Sequence, residues 1–207
     1  MDPLDGSAAS RLFGLRDDAT HDLAAQAEAV ALACHAMAVR FHQGGKLVVF
    51  GTGGASTDAQ HVAVEFVHPV IVGKRALPAI SLTADVATVT GVAEQQGIDA
   101  IFAHQIRYLA DPSDIALGIC PDAGRGSVLA GLAAAREKGL LTIALTGRPA
   151  GLNGPNGGPD IAEHVLTADS DDPRIVKEIQ VSTYHILWEL VHVFFEQPGV
   201  LTPGVIA

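Results

Sequence analysis

The sequence predicts an α/β protein in which helices cover both faces of a parallel β-sheet, giving a three-layer αβα sandwich. Two observations support this fold class. Short apolar segments alternate with helical ones along the 207 residues, and 48% of the residues are hydrophobic. Strands that are each followed by a helix typically form a parallel sheet that is buried on both faces.

Local patterns predict the elements in chain order. Residues 1–16 lack periodicity and are predicted to form a flexible tail. Residues 17–43 carry apolar side chains at helical spacing, which predicts one long N-terminal helix that ends at Gly44-Gly45. Strands are predicted at 46–50, 77–82, 114–119, 140–145 and 162–166, and helices at 56–67, 85–92, 98–109, 125–138 and 173–196. Residues 17–197 would then form one domain, followed by a C-terminal tail at 198–207.

Composition argues against several classes of protein. The formal net charge is −10 and no cluster of Lys and Arg occurs, so direct binding of nucleic acid is not expected. No apolar run reaches the roughly 18 residues of a membrane-spanning helix. The N-terminus lacks the order of a signal peptide, and Cys34 and Cys120 lie far apart in the chain. We therefore expect a cytoplasmic protein without a disulfide or a membrane segment.

The first candidate site is a glycine loop between the first strand and the next helix, Gly51-Thr52-Gly53-Gly54-Ala55-Ser56-Thr57. Its glycines allow a tight turn and a close approach to a ligand. Ser56 or Thr57 is predicted to cap the helix, whose free N–H groups attract an anion. A glycine turn also joins many strands to helices for structural reasons alone, so this motif by itself does not decide between the two interpretations.

The second candidate site lies on the helix after that loop. His61 and Glu65 are four residues apart and therefore project from one helix face. Such a pair can hold zinc or divide acid and base roles, although spacing alone favours a surface ion pair. The last predicted helix repeats the spacing at His185 and Glu189. Spacing does not decide whether His185 meets His61.

A third candidate follows the predicted strand 114–119, where the chain reads Cys120-Pro121-Asp122-Ala123-Gly124-Arg125. A loop at this point belongs to the ligand-binding edge of a parallel sheet. Capping of the next helix is the simpler role for Asp122.

These motifs together resemble the sugar isomerase (SIS) superfamily, and within it the phosphoheptose isomerases. The matching stretches occur in family order at 51–66, 76–92, 97–106, 113–119, 128–148 and 174–191. The resemblance implies a flavodoxin-like, five-stranded parallel sheet and a homotetramer with active sites between subunits. It also implies a zinc-dependent conversion of a ketose phosphate to an aldose phosphate. The apolar face of the long first helix would then pack against a neighbouring subunit rather than against its own core.

The resemblance also implies roles for individual residues. His61, Glu65 and His185 match zinc ligands, and Glu65 and His185 match the residues that transfer protons. Substrate contacts are expected from the first loop, from the loop after the second strand and from the loop after the third: Gly51, Thr52, Gly53, Gly54, Ser56, Thr83, Asp85, Asp122 and Arg125.

Several positions depart from the family pattern, among them Pro69, which stands where the isomerases usually have an arginine. Cys120, Asp122 and Arg125 stand where the isomerases have serines that hold the substrate phosphate. Asp122 would repel a phosphate, whereas Arg125 could bind it with two hydrogen bonds, or the two could pair with each other. Lys177 stands where a glutamine completes the zinc site. Glu178 shares a helix face with His185 and is the candidate fourth ligand, the alternative being three protein ligands and water.

Two functions from different classes follow. In the first, the protein is a zinc-dependent sugar-phosphate isomerase: Glu65 removes the proton next to the carbonyl, and His185 handles the oxygen or second-carbon proton. In the second, it is an inactive relative that acts as a tetrameric regulatory or protein-binding scaffold. The changes at 120–125, at Pro69 and at Lys177 favour the scaffold, and the presence of His61, Glu65 and His185 favours the enzyme.

Overall fold

A five-stranded parallel sheet lies at the centre of the computed structural model, which describes residues 6–121, 126–148 and 162–201. The strands are β1 (Leu47–Gly51), β2 (Ala79–Ser81), β3 (Ile115–Cys120), β4 (Leu141–Gly147) and β5 (His164–Ala168). Their order is β2-β1-β3-β4-β5, and every neighbouring pair is parallel. Each boundary lies within two residues of its predicted position, and the predicted fold class is confirmed.

Eight α-helices surround the sheet in the described part of the chain. They are α1 (Ser7–Gly14), α2 (Asp17–Ala25), α3 (Ala27–His42), α4 (Gly54–Val67), α5 (Val86–Gln96), α6 (Ile101–Leu109), α7 (Gly126–Lys138) and α8 (Pro173–Phe195). Short 3-10 helices span Ile98–Ala100 and Pro198–Leu201. None of the described helices combines the length and apolarity that crossing a bilayer requires.

The core has two halves, one on each face of the sheet. Leu47 and Val49 of β1 pack with α3, α4 and α8, while Val48 and Phe50 pack with α5, α6 and α7. All four side chains are fully buried. Alternate residues of a strand point to opposite faces, so a strand with both faces covered needs a continuous apolar run.

The predicted single helix over 17–43 is divided in two at Gln26, which corrects the prediction. The Gln26 side chain pairs with the edge strand β5: its Nε2 donates to Thr167 O at 2.8 Å, and its Oε1 accepts from Thr167 N at 3.0 Å. These bonds satisfy the outward-facing backbone groups of a residue in an edge strand. A contact with a residue far along the chain therefore sets the break.

The apolar face of α3 packs within its own protomer, which also differs from the expectation. Ala33, Cys34, Met37 and Ala38 are fully buried and belong to the core cluster that includes α8. Their positions on α3 repeat at helical spacing because this stripe faces the protomer's own core.

Both predicted tails contain helical structure where they are described. Helix α1 lies within residues 1–16, although none of its residues is buried. At the other end, Leu201 of the 3-10 helix is 1% exposed and joins the core beside α3. Alanine at positions 8 and 9 and the apolar Leu201 are the local features that the prediction did not weigh.

Candidate active site

The loop after β1 owes its shape to two glycines. A Cβ atom at Gly51 would lie 2.8 Å from the Cβ of Ala55 and 2.8 Å from Ile119 O, so no larger residue fits there. Gly53 has φ of +60° and directly precedes α4, a conformation that other residues rarely adopt.

Ser56 and Thr57 do not cap α4, contrary to the prediction. Their hydroxyls donate instead to the carbonyl oxygens of Gly53 and Gly54, each at 2.7 Å. The helix begins at Gly54, two residues earlier than predicted, and no side chain caps its first turn. The two hydroxyls therefore lie inside the first turn of α4, whereas a residue that caps the helix has to precede that turn.

A cleft of about 280 Å³ opens beside this loop. Five of the predicted substrate-binding residues line it, together with apolar side chains from α5, α6 and the 3-10 turn between them: Gly51, Thr52, Gly53, Ser56 and Thr83, with Val89, Ile98, Ile101 and Phe102. The Thr83 hydroxyl donates to Ser56 O at 3.2 Å and lies 2.7 Å from the Ser81 hydroxyl. One wall of the cleft is therefore polar and the other apolar, as in many small-molecule sites.

Helices α4 and α8 run in the same direction and share a row of polar contacts. Lys177 of α8 meets Asp58 of α4. One to two turns further along, Tyr184 meets His61 and His185 meets Glu65. This row joins the first loop to the predicted catalytic residues.

The carboxylate of Glu65 lies between two imidazoles. Its Oε1 is 3.3 Å from His61 Nε2 and 3.1 Å from His185 Nε2. The Trp188 indole donates to the backbone carbonyl of Glu65 at 3.0 Å, which fixes this turn of α4 against α8. Glu65 is 14% exposed, whereas the side chains of His61 and His185 are 48% and 44% exposed. The cluster thus has a partly buried inner side at Glu65 and an open outer side at the two histidines.

The donor atoms of this cluster fit a zinc ion. Zinc binds histidine nitrogen and carboxylate oxygen at about 2.0–2.2 Å, which separates the ligand atoms by roughly 3.3 Å in a tetrahedral site. The ligand atoms of His61, Glu65 and His185 all lie within 4.8 Å of one another. Small side-chain movements would therefore bring them to ligand distance.

Glu178 lies outside this cluster, which corrects the expectation of a fourth ligand. Its carboxylate accepts two hydrogen bonds from Arg16, from Nε at 2.6 Å and from Nη2 at 2.8 Å. Arg16 lowers the pKa of Glu178 through these bonds. A shared helix face does not bring Glu178 near His185, because seven residues span about 10.5 Å of helix.

Lys177 is bound to the beginning of α4. Its Nζ donates to Asp58 Oδ2 at 2.6 Å and to Gly54 O at 3.1 Å. Asp58 is 8% exposed at its side chain, and Lys177 is 44% exposed. The ammonium therefore neutralises a buried carboxylate at the first loop.

Four predicted substrate residues remain. Gly54 does not line the cleft, and its carbonyl oxygen accepts a hydrogen bond from Lys177. Asp85 caps α5, accepting hydrogen bonds from the backbone N–H groups of Ala87 and Thr88, and the Thr88 hydroxyl lowers the pKa of its carboxyl group. Asp122 and Arg125 lie outside the described residues.

Sequence reasoning missed several residues around the site. Tyr184 and Trp188 contact the cluster, Asp58 binds Lys177, and Phe102 lines the cleft. Apolar spacing marks Tyr184 and Trp188 only as buried positions of α8. Their polar contacts depend on how α8 lies against α4.

Comparisons with known proteins agree with this architecture. Residues 17–147 match the SIS domain family. The phosphoheptose isomerase of Solidesulfovibrio magneticus is 37% identical over 178 residues, which cover 86% of this chain and 84% of that protein. The phosphoheptose isomerase of Geobacter sulfurreducens is 38% identical over 148 residues, covering 72% of this chain and 76% of that protein.

Solved structures give the same result. The structure of a phosphoheptose isomerase from Francisella tularensis superposes with a TM-score of 0.80 at 29% identity, covering 93% of this chain and 100% of that chain. Phosphoheptose isomerase GmhA from Neisseria gonorrhoeae gives a TM-score of 0.77 at 25% identity, covering 89% and 96%. The chain therefore belongs to the SIS domain family, in which its relatives include the phosphoheptose isomerases.

Proposed function

We propose that the protein is an aldose–ketose isomerase that acts on a sugar phosphate. Its relatives are named as phosphoheptose isomerases, and their names support this proposal. The observation that carries this proposal is the approach of two imidazoles to one carboxylate oxygen, with His61 Nε2 and His185 Nε2 at 3.3 and 3.1 Å from Glu65 Oε1. A carboxylate and an imidazole in contact are suited to move protons between neighbouring atoms of a sugar. This arrangement favours the enzyme over the scaffold.

A zinc ion would be held by His61, Glu65 and His185. Bound there, it would polarise the carbonyl and hydroxyl oxygens of the substrate. This would favour removal of the proton from the hydroxyl-bearing carbon next to the carbonyl. Three protein ligands leave a coordination position for the substrate, as catalytic zinc sites require. The open outer side of the cluster gives a substrate access to this position.

Glu65 is the proposed base. Its carboxylate would take the proton from the carbon next to the ketose carbonyl and return it to the neighbouring carbon, giving the aldose. His185 would move the proton between the two substrate oxygens through the ring nitrogen that a zinc ion on its other nitrogen leaves free. The 3.1 Å contact between His185 Nε2 and Glu65 Oε1 supports this division, since one substrate could reach both groups.

Binding would use the cleft and a second copy of the chain. The hydroxyls of Thr52, Ser56 and Thr83 border the cleft and suit a polar sugar or phosphate group. His61, Glu65 and His185 do not line this cleft. We therefore infer that a neighbouring subunit of a homotetramer completes the site over the exposed sides of the two histidines.

The test is proton transfer measured directly. Sedoheptulose 7-phosphate is incubated with the protein in D2O, with added zinc or with a chelator, and deuterium uptake and aldose formation are followed by NMR. We expect zinc-dependent uptake of deuterium next to the carbonyl, with slower product formation if the changed loop at 120–125 weakens phosphate binding. Absence of both signals with zinc-loaded protein, for this sugar and for a panel of other ketose phosphates, would overturn the proposal.

A further inference from the structure

Tyr184 lies against both histidines of the cluster but has no role in the proposal above. Its side chain is 1% exposed, and its hydroxyl is 3.1 Å from His61 Nδ1. Its ring packs edge-on against the rings of His61 and His185, with centroids 5.6 and 4.8 Å apart. A buried tyrosine normally directs its hydroxyl at a polar partner, and here that partner is the far nitrogen of a candidate metal ligand.

We propose that Tyr184 is a positioning residue that holds His61 in the orientation needed to bind metal through Nε2. The two ring nitrogens of His61 have different neighbours: Nε2 faces Glu65 Oε1 at 3.3 Å, and Nδ1 faces the phenol. Rotation of the imidazole away from Glu65 would break the bond to Tyr184. This inference rests on the proposed metal cluster and adds a residue to it.

A hydroxyl suits this position because it can both donate and accept. In the tautomer that suits the metal-free protein, the phenol would donate to Nδ1, and the Nε2–H of His61 would face Glu65 Oε1. With metal on Nε2, Nδ1 would carry the proton and donate to the phenol oxygen. The ring keeps its place in both states, and a hydrogen bond of this kind to the far nitrogen is how proteins orient metal-bound histidines.

Phenylalanine at position 184 would fill the same space without either bond. Tyr184→Phe should therefore leave the fold intact and loosen only the orientation of His61. Loss of such a supporting bond typically lowers metal affinity by about 10- to 100-fold. Tyr108 offers a matched control, since it is the other tyrosine of the chain and lies on α6 with 77% of its surface exposed.

The experiment compares Zn²⁺ affinity, by competition with a chelating dye, for the full-length wild type, Tyr184→Phe and Tyr108→Phe. We expect affinity to fall about 10- to 100-fold in Tyr184→Phe alone, with metal-free melting temperatures similar in all three. In parallel, ¹⁵N NMR of histidine-labelled, metal-free protein should show the Nδ1 resonance of His61 shifted in Tyr184→Phe and unchanged in Tyr108→Phe.

Two outcomes are distinguishable. If wild type binds Zn²⁺ and Tyr184→Phe binds it equally well, or if the Nδ1 resonance of His61 does not change, the positioning role is overturned. If wild type itself does not bind Zn²⁺, the proposed metal centre fails. The NMR comparison on metal-free protein then still decides whether Tyr184 orients His61.

Discussion

Helices α4 and α8 meet in two polar regions with opposite character. At the beginning of α4, Lys177 and Asp58 form an ion pair in which the carboxylate is 8% exposed and neutralised by an ammonium. Further along, the carboxylate of Glu65 lies between two imidazoles that are nearly half exposed. The first region is internally satisfied, whereas the second presents donor atoms that a metal or substrate can reach.

The two regions also differ in their relation to the proposed zinc site. The cluster contains His61, Glu65 and His185, which the resemblance to the isomerases implies as zinc ligands. The ion pair places an ammonium where the resemblance implies a zinc-binding glutamine, and that ammonium contacts a carboxylate of α4. A protonated lysine cannot ligate a metal, so among the residues that the structure describes, the candidate centre of one protomer consists of three side chains.

The substitution with the largest expected effect is in the cluster of His61, Glu65 and His185. Glu65→Gln removes the proposed base while keeping its size, so we expect isomerase activity to fall about 100- to 10,000-fold. The free energy of unfolding should change by less than about 1 kcal/mol, because the backbone carbonyl that binds Trp188 remains. Steady-state kinetics and urea denaturation measure the two quantities.

Glu189→Gln is the matched control, since Glu189 follows His185 at the same four-residue spacing but is exposed and outside the cluster. It should keep wild-type activity. Equal losses in Glu65→Gln and Glu189→Gln, or full activity in Glu65→Gln, would contradict the assignment of the base.

A substitution in the ion pair of Lys177 and Asp58 should have a smaller effect. Lys177→Gln introduces the residue type that the resemblance implies here but leaves Asp58 without its cation, so we expect the free energy of unfolding to fall by about 1–3 kcal/mol. The double variant with Asp58→Asn should recover part of this loss, because an amide carries no charge to neutralise. Urea denaturation of the single and double variants provides the test, and a Lys177→Gln protein as stable as wild type would show that the pair contributes nothing.

The smallest effect concerns the start of α8, on which both regions depend. Asp172 caps α8, and its bonds to Arg174 lower the pKa of its carboxyl group from its ordinary value to about 2. Because the folded protein prefers the ionised form, this stabilisation is present above pH ~4 and disappears as pH falls towards about 2. Asp172→Asn should melt slightly below wild type at neutral pH, and calorimetry should show the difference vanishing near pH 2. A difference that persists at that pH would argue against ionisation as its cause.

The sheet was predictable because its strands are short apolar runs buried on both faces, as β1, β3 and β4 are. The break at Gln26 was not, because an alanine-rich segment without Gly or Pro gives no local sign of it. Its cause is a pair of hydrogen bonds to Thr167, 141 residues away in the chain. Local patterns specify element type, and tertiary contacts adjust element length.

The same distinction between local patterns and tertiary contacts applies to the candidate site. Spacing places His61 and Glu65 on one face, and the resemblance to the isomerases adds His185. Glu178 was wrongly expected beside them because periodicity gives the direction of a side chain around the helix axis and not its position along that axis. Tyr184 was missed because its partner is determined by the register of two parallel helices.

The bonds from Gln26 to β5 have a consequence for solubility. An exposed strand at the border of a sheet offers its backbone to other chains and so promotes aggregation. At Thr167 the side chain of Gln26 already occupies both backbone groups, so an incoming strand would have to displace it before extending the sheet.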